Sequence, residues 1–200
     1  CVVSYDNENV TLYDRCFFSN TKEGGSIYLI RSLFNDFYNE SDGGSIYIQN
    51  CALLFYNANF TNCVSLNGCG GAIFIENLNN AKNDIVLENL TFTKCKATCG
   101  GAVYLISKSE ISNISINFCV FTSNEINEKG MNRNNEFFGG SAIFFMARNG
   151  YFYQCQFSYN KGHKGIGALK IYNKFKEDSI KQLSNNNLEK GQKLIVVSDC

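Results

Sequence analysis

The sequence predicts an all-β fold, a parallel β-helix in which short strands stack coil upon coil. Three observations predict it. A Gly-Gly pair followed by a small residue and an apolar-aromatic-apolar run recurs along the chain, each pair is preceded by a Phe with Asn or Cys close behind, and the spacing between copies varies. A repeat of this size rarely folds alone, so neighbouring copies must stack to bury their apolar faces.

The glycine half of the repeat supplies one strand per coil. Its apolar residues are β-branched or aromatic, with Gly on one side and polar residues on the other. The glycine pair predicts a corner with positive φ, or a point where the next coil approaches closely. The copies begin at Gly24, Gly43, Gly70 and Gly100, with a fifth carrying one extra residue at Gly139 and a degenerate sixth at Gly165.

The Phe half supplies a second strand and a corner. A further short apolar segment precedes each Phe, for example residues 52–55, 85–87 and 114–116. Asn at the corner tolerates the left-handed region, and stacked Asn side chains are expected to form a ladder between coils. The copies begin at Phe18, Phe37, Phe60, Phe92, Phe121 and Phe157, and Cys16, Cys119 and Cys155 each lie two residues before a Phe.

The variable spacing separates a β-helix from helical repeats. The shortest step between successive glycine pairs runs from Gly24 to Gly43, and the longest, about twice as long, runs from Gly100 to Gly139. Helical repeats hold a nearly constant period because each helix pair packs on the next, whereas strands in fixed stacked positions tolerate loops of any length. With two or three strands per copy, we expect about six to seven coils.

Composition limits the classes of function. The 200 residues are enough for one domain, and we expect 1–200 to form a single β-helix domain. Eighteen basic residues balance 18 acidic ones, so neither a nucleic-acid surface nor an anionic-lipid surface is indicated. Residues 174–192 are charged and Asn-rich and are expected to form a loop or short helix insertion, or else a separate small element. Residues 1–5 resemble residues 155–159, which suggests an excerpt of a longer array.

The ten cysteines do not match a zinc site, because there is no Cys-x-x-Cys and only one histidine, His163. Cys63 and Cys95 occupy the same position in successive copies, and so do Cys69 and Cys99. Stacked positions lie ~4.8 Å apart, within the reach of a disulfide. Each pair is therefore expected to form either a disulfide across coils or part of a column of buried thiols. No His recurs beside a Cys, so no nucleophilic cysteine is predicted.

No catalytic residue, metal ligand or cofactor site is predicted. The glycine pairs lead into strands and lack a phosphate-binding fingerprint, and His163 lies in a surface loop. The scattered carboxylates are expected to be solvated turn residues unless they converge on one face. Five Asn-x-Ser/Thr sequons give weak support for a glycosylated surface protein. The carboxylates are Asp36, Asp42, Glu76, Asp84 and Glu88, and the sequons begin at Asn9, Asn39, Asn59, Asn89 and Asn113.

Gly-Gly-Ala-Ile at residues 70–73, alternating with Phe-x-x-Asn at 121–124 and 157–160, resembles the repeat of chlamydial polymorphic outer-membrane proteins. Similar repeats occur in large surface proteins of some protists. The resemblance covers roughly residues 16–172 and implies a right-handed parallel β-helix, exposed as a passenger and active in adhesion to host cells. Two departures are that Cys63 and Cys95 replace the Asn, and that three copies carry Ser after the glycines. We expect no membrane contact within this segment.

The resemblance and the loops together predict an extracellular or cell-surface adhesin-like protein. Its partner would be a protein or glycan on a cell surface, because loops on a rigid scaffold are the usual carriers of recognition. Two alternatives are a carbohydrate-active enzyme of the pectate-lyase or polygalacturonase kind and a purely structural spacer. The few arginines are spread over different coils, which argues against the enzyme. The predicted partner-binding residues lie in one long interval: Asn127, Glu128, Lys129, Met131 and Arg133.

Overall fold

The computed structural model describes residues 10–11, 16–19, 25–127, 139–162, 167–172 and 195–198. These residues form 22 short strands in four parallel sheets, so the predicted all-β solenoid is confirmed. Among them, no helix is long and apolar enough to span a membrane. The expected insertion at 174–192 lies outside the described residues.

The coils stack their equivalent strands into four sheets, which we name A to D. Every strand pairs in parallel with the equivalent strand of the next coil. Sheet A contains Val10–Thr11, Ser32–Asn35, Asn59–Thr61, Thr91–Thr93, Val120–Thr122 and Gln156–Ser158; sheet B contains Cys16–Ser19, Ile46–Gln49, Ile73–Asn77, Val103–Ser107, Ile143–Met146 and Leu169–Ile171; sheet C contains Gly25–Ile30, Cys51–Tyr56, Ile85–Glu88, Ile114–Asn117, Gly150–Tyr153 and Ile195–Ser198; sheet D contains Tyr38–Asn39, Val64–Ser65, Lys96–Ala97 and Glu125–Ile126.

The chain visits the sheets in the order C, A, D and B before it begins the next coil. It completes five such coils between Gly25 and Ile171, with Lys161 bridging to Glu125 at the sheet D position of the fifth. The expectation of six to seven coils was therefore too high. The expected number came from counting glycine pairs, and not every pair begins an equivalent strand.

The first two copies of the repeat occupy positions in the structure that differ from the predicted ones. The run after Gly24 was expected beside the run after Gly43, but Gly25–Ile30 pairs with Cys51–Tyr56 in sheet C. The strand Cys16–Ser19 takes the expected place in sheet B, so Phe18 does not belong to the Phe column either. Phe37 was also expected in that column, but Phe34 pairs with Phe60 instead. Such apolar runs have similar local sequences. Only the number of residues between a run and the next Phe of the Phe column shows which sheet the run joins.

Three of the remaining glycine pairs form a column, and the two glycines of each of these pairs have different roles. In the fifth copy the column continues through Gly140 and Ser141. Gly43, Gly70 and Gly100 have φ between 54° and 68°, in the left-handed region that favours glycine. At the second position, a Cβ on Gly71 would lie 2.1 Å from the carbonyl oxygen of Gly101 in the next coil. Both predicted reasons for the glycine pair are therefore confirmed, one for each glycine.

The interior is built from columns of identical or similar side chains. The rings of Phe34, Phe60, Phe92, Phe121 and Phe157 stack with centroids 4.5 to 5.0 Å apart. Aliphatic columns from sheets B and C complete the core, for example Ile48, Ile75 and Leu105. Because every interior residue repeats in the next coil, apolar burial accumulates along the axis.

Left-handed corners lie on both sides of the Phe column. Sheet C turns into sheet A through residues with φ between 49° and 54°, and sheet A turns into sheet D through residues with φ between 53° and 59°. Asn, which adopts this region more readily than most residues, occupies three of these positions as expected. The first corner contains Arg31, Asn57, Asn89, Phe118 and Gln154, and the second contains Asp36, Asn62, Lys94, Ser123 and Tyr159.

The two halves of each coil differ in length variation. From sheet C through A to D, which we call the fixed arc, one or two residues separate successive strands in all five coils. From sheet D through B to the next sheet C, which we call the variable arc, the connections range from Asn50 alone to the long segments 127–142 and 172–194. Insertions are therefore confined to one half of the coil.

Candidate binding surface

The variable arc carries the loops of the described chain. Between sheets D and B the connections range from the short segment 98–102 to the long segment 127–142, which joins Ile126 to Ile143. Between sheets B and C the shortest is Asn50 alone. Loops from successive coils therefore leave the scaffold on the same side, where a broad contact surface can form.

The start of the longest D-to-B connection is held firmly to the lower coils. Glu125 pairs with Lys96 of the coil below, with Oε1 2.9 Å from Nζ. Asn127 is buried, and its amide Nδ2 donates to the carbonyl oxygen of Leu66, 2.9 Å away. Its backbone N–H donates to the carbonyl of Ala97. The loop thus begins from a fixed position.

The structure describes one of the five predicted partner-binding residues, Asn127. Asn127 is 7% exposed, so its side chain anchors the loop rather than facing solvent. Glu128, Lys129, Met131 and Arg133 lie outside the described residues. Contact between this segment and a partner therefore stays a prediction. The burial of Asn127 could not be predicted, because Leu66 is 61 residues away in the chain.

A second aromatic column lies on the outer face of sheet B. Tyr47, Phe74, Tyr104 and Phe144 stack with ring centroids 4.8 to 5.1 Å apart. Phe74 and Tyr104 are 6% exposed and Phe144 is fully buried. Phe74, Tyr104 and Phe144 therefore form an outer apolar cluster that stabilises sheet B, and their rings are not accessible to a ligand.

Tyr104 of this outer column and the nearby Glu76 have shifted pKa values. Partial burial, and then the charge of Asp42, raises the pKa of Glu76, while the Gln49 amide and Lys108 act in the opposite direction. Burial, with the charges of Glu76 and Asp42, also raises the pKa of the Tyr104 hydroxyl. A carboxyl with a raised pKa can serve as an acid, and the groups that act on Glu76 are the Asp42 carboxylate, the Gln49 amide and the Lys108 ammonium.

One predicted cysteine pair is cross-linked. Cys69 and Cys99 form a disulfide between adjacent coils, next to the glycine column and against the outer aromatic cluster. Their Cα atoms are 4.7 Å apart, close to the rung spacing that allows such a bond. Of the two outcomes expected for this pair, the disulfide is confirmed.

The other predicted pair remains a column of buried thiols. Cys63 and Cys95 occupy the position that Asn124 and Asn160 fill in the next two coils. The amide of Asn124 donates to the carbonyl of Phe92, and the Cys95 thiol donates to the equivalent carbonyl of Phe60. Cysteine therefore takes over the donor role of the Asn ladder.

The buried thiols do not behave as activated nucleophiles. Burial raises the pKa of Cys95 well above its ordinary value, whereas the hydrogen bond with Cys95 lowers the pKa of Cys63. A second stacked pair, Cys119 and Cys155, lies in the corner before the Phe column. Its mutual hydrogen bond and burial raise the pKa of Cys119. Reactive cysteines are partly exposed, and these thiols are enclosed.

The scattered carboxylates mostly tie one coil to the next. Asp36 accepts from the amide of Asn62, Asp42 accepts from the backbone N–H of Cys69, and Asp84 accepts from that of Asn113. Within the described ranges, no three His, Cys, Asp or Glu side chains are arranged to hold a metal ion. Asp36, Asp42 and Asp84 therefore act as acceptors that join neighbouring coils.

Three of the sequons expose their asparagine. Asn59, Asn89 and Asn113 are exposed, Asn39 is half-buried, and Asn9 lies outside the described residues. The Asn89 amide donates to the side-chain oxygen of Asn57, so part of its exposed surface already belongs to a corner ladder. Attachment of a glycan to any of them stays a prediction.

Comparison of the chain with models of known families, with curated proteins and with solved structures finds no match. The function must therefore be argued from the scaffold itself and from the surface that its loops and side chains form.

Proposed function

We propose that this chain is an adhesin-like surface protein, in which a rigid solenoid presents the loops of the variable arc to a protein or glycan on a cell surface. The observation that carries the proposal is the separation of the two arcs. The fixed arc holds constant length through five coils, while connections of very different length leave the variable arc. This is the arrangement of a scaffold on which loops can change without disturbing the core.

An extracellular setting is part of the proposal. The Cys69–Cys99 disulfide supports it, because disulfides persist in oxidising compartments. The exposed sequon asparagines Asn59, Asn89 and Asn113 are consistent with it. A catalytic role has no comparable support in the described residues, where most of the candidate carboxylates accept hydrogen bonds from neighbouring coils.

The test is binding of the purified chain to intact cells, with one charge removed from each arc. Lys129 lies in the predicted binding segment, and Lys94 is an exposed corner residue of the fixed arc. Asn suits the left-handed corner, so Lys94→Asn removes the charge without strain. We expect Lys129→Asn to reduce cell binding severalfold and Lys94→Asn to leave it unchanged.

The outcomes separate the proposal from nonspecific attraction. Equal losses in both variants would mean that the chain binds by charge alone, at no particular arc. Absence of cell binding by the unmodified chain would reject the adhesin function.

A further inference from the structure

A shallow depression crosses the corner between sheets C and A in the last two coils. It has a volume of about 380 Å³ and is lined by Phe118, Val120, Gln154 and Gln156. Val120 and Gln156 are paired neighbours in sheet A, and each directly precedes an inward-pointing Phe, so both point outward. Phe118 and Gln154 are successive residues of the left-handed corner. The depression therefore opens to solvent on the fixed arc, away from the loops.

Phe118 is the unusual residue of this depression. It has a φ of 53°, in the left-handed region that a bulky side chain adopts only at an energetic cost. Phe118 is nevertheless 44% exposed, so burial does not offset the strain. In the two coils below, Asn57 and Asn89 occupy the same corner. A strained and exposed aromatic residue in place of Asn points to a use beyond folding.

Two tyrosines extend the aromatic surface beside Phe118. The ring of Tyr153 lies edge-on to that of Phe118, with centroids 5.4 Å apart. Tyr151 stacks parallel to Tyr153 at 5.9 Å and is 40% exposed. The three rings form a continuous aromatic strip that leads into the depression.

The polar groups of the depression are neutral. Gln154 and Gln156 are exposed, and neither side-chain amide has a protein partner among the described residues. Each amide offers two donors and one acceptor oxygen. None of the four lining residues is charged. Asn89 and Thr91, directly below in the corner and in sheet A, are neutral as well.

This combination matches one class of ligand. The C–H faces of a sugar ring pack on aromatic faces, whose negative quadrupole attracts them, and its hydroxyls pair with side-chain amides. A charged ligand would find no counter-ion in the depression, and a purely apolar one would leave the Gln amides unpaired. Asn57, Asn59, Asn89 and Thr91 continue the same neutral chemistry along the two coils below, so a linear chain of sugars would meet similar groups there.

We propose that the depression around Phe118, with Tyr153, Gln154 and Gln156, binds a neutral oligosaccharide. The biological setting of this site rests on the proposed surface function, since a cell-surface glycan is one of the two partner classes considered there. The site itself is distinct from the variable-arc loops. An open depression of this size predicts weak and fast binding rather than a tight complex.

The experiment uses saturation-transfer NMR, which detects weak and fast-exchanging ligands, on the full chain. The probes are mannotriose, chitotriose and cellotriose, with trigalacturonic acid as the charged comparison. Phe118→Asn restores the residue of the two lower coils and relieves the left-handed strain, so the variant should fold. Tyr159→Asn is the matched control, because Tyr159 is also an exposed aromatic residue at a left-handed corner, with φ 54° and 83% exposure, but lies at the other corner.

We expect at least one neutral trisaccharide to give a saturable signal with the unmodified chain. Phe118→Asn should weaken its binding tenfold or more, Gln156→Thr severalfold, and Tyr159→Asn less than twofold. The proposal is overturned if no neutral trisaccharide binds, if trigalacturonic acid binds as well as the neutral sugars, or if Phe118→Asn and Tyr159→Asn behave alike.

The two functional proposals fail separately. Cell binding without saccharide binding would leave the adhesin function in place and reject the Phe118 site. Saccharide binding lost in Phe118→Asn, in a chain that binds no cells, would establish the site and reject the adhesin function.

Discussion

The fixed arc and the variable arc are held together by different means. In the fixed arc, stacked Phe rings, left-handed corners and the donors of Cys95 and Asn124 repeat at constant intervals. In the variable arc, backbone contact at the glycine column and the Cys69–Cys99 bond join the coils. The fixed arc is in register throughout its length. The variable arc is in register at sheet B and at the glycine column, and the connections on either side of them are free in length. The difference shows how a solenoid can combine one rigid half with one adaptable half.

Insertions should have the largest and most unequal effect on the two arcs. A single Gly inserted between Lys94 and Cys95 would displace the Cys95 thiol from the Phe60 carbonyl and shift the Phe column against sheet D. Because a one-residue slip exchanges inward and outward faces, we expect loss of cooperative folding. The same insertion after Asn80, in a connection of the variable arc, should cost about 0.6 kcal/mol or less, since loop entropy changes slowly with length.

Urea unfolding followed by far-ultraviolet circular dichroism would measure both insertions. Similar unfolding midpoints for the two variants would contradict the division of the coil into a fixed and a variable arc.

The next largest effect is expected in the Phe column. Phe92 is fully buried between Phe60 and Phe121, with both centroids 4.8 Å away. Phe92→Ala should lower the free energy of unfolding by about 3–5 kcal/mol, because the enclosed cavity cannot collapse. Phe74 stacks in a similar way on the outer face of sheet B. Phe74→Ala should cost less, since water can enter a space on the outside of the scaffold.

Chemical denaturation of the two alanine variants would rank these columns. A loss in Phe74→Ala equal to or above that in Phe92→Ala would show that the outer cluster contributes as much to stability as the interior.

The solenoid itself could be predicted from sequence because its signals are local and repeated. Gly70 and Gly100 each carry the reason for their conformation within a few residues, and the copies reinforce one another. The sheet assignment of Gly25–Ile30 could not be obtained in that way, because the run Ser-Ile-Tyr-Leu fits sheet B and sheet C equally well. Counting seven residues from Ile27 to Phe34, as from Leu53 to Phe60, places it correctly.

The candidate sites were only partly predictable. Interval lengths identified the longest connection between sheets D and B, but the burial of Asn127 depends on Leu66, two coils away. The Phe118 depression depends on the register between coils, because Gln154 and Gln156 lie a full coil beyond Phe118 and Val120. No short motif carries that information, so the depression could be found only once the coils were aligned.

The disulfide allows the covalent contribution to the variable arc to be isolated. Cys69 and Cys99 are 30 residues apart, and closing a loop of that length is expected to contribute about 2–4 kcal/mol. A thiol reductant should lower the free energy of unfolding by that amount. The double variant Cys69→Ser with Cys99→Ser should have the stability of the reduced chain.

Alkylation and peptide mapping would check the assignment of the two stacked thiol pairs. We expect Cys63, Cys95, Cys119 and Cys155 to be alkylated as thiols only after unfolding, because all four are buried. A Cys63–Cys95 or Cys119–Cys155 cross-link in the native chain would show that the fixed arc is also covalently joined.

The smallest expected effect is the pH dependence contributed by Glu76 on the variable arc. Its pKa is raised in the folded chain. At pH values just above the ordinary pKa of a glutamate, the folded state therefore binds more protons than the unfolded state. Stability should therefore fall as the pH rises from the ordinary pKa through the raised value.

Glu76→Gln should remove this fall, and Gln49→Ala should deepen it, because the Gln49 amide donates to Glu76 Oε2. The group is partly solvated, so the change should stay below about 1 kcal/mol. Unfolding midpoints at about pH 4 and about pH 7 would measure it, and a steeper fall in Glu76→Gln than in the unmodified chain would assign the pH dependence to other groups.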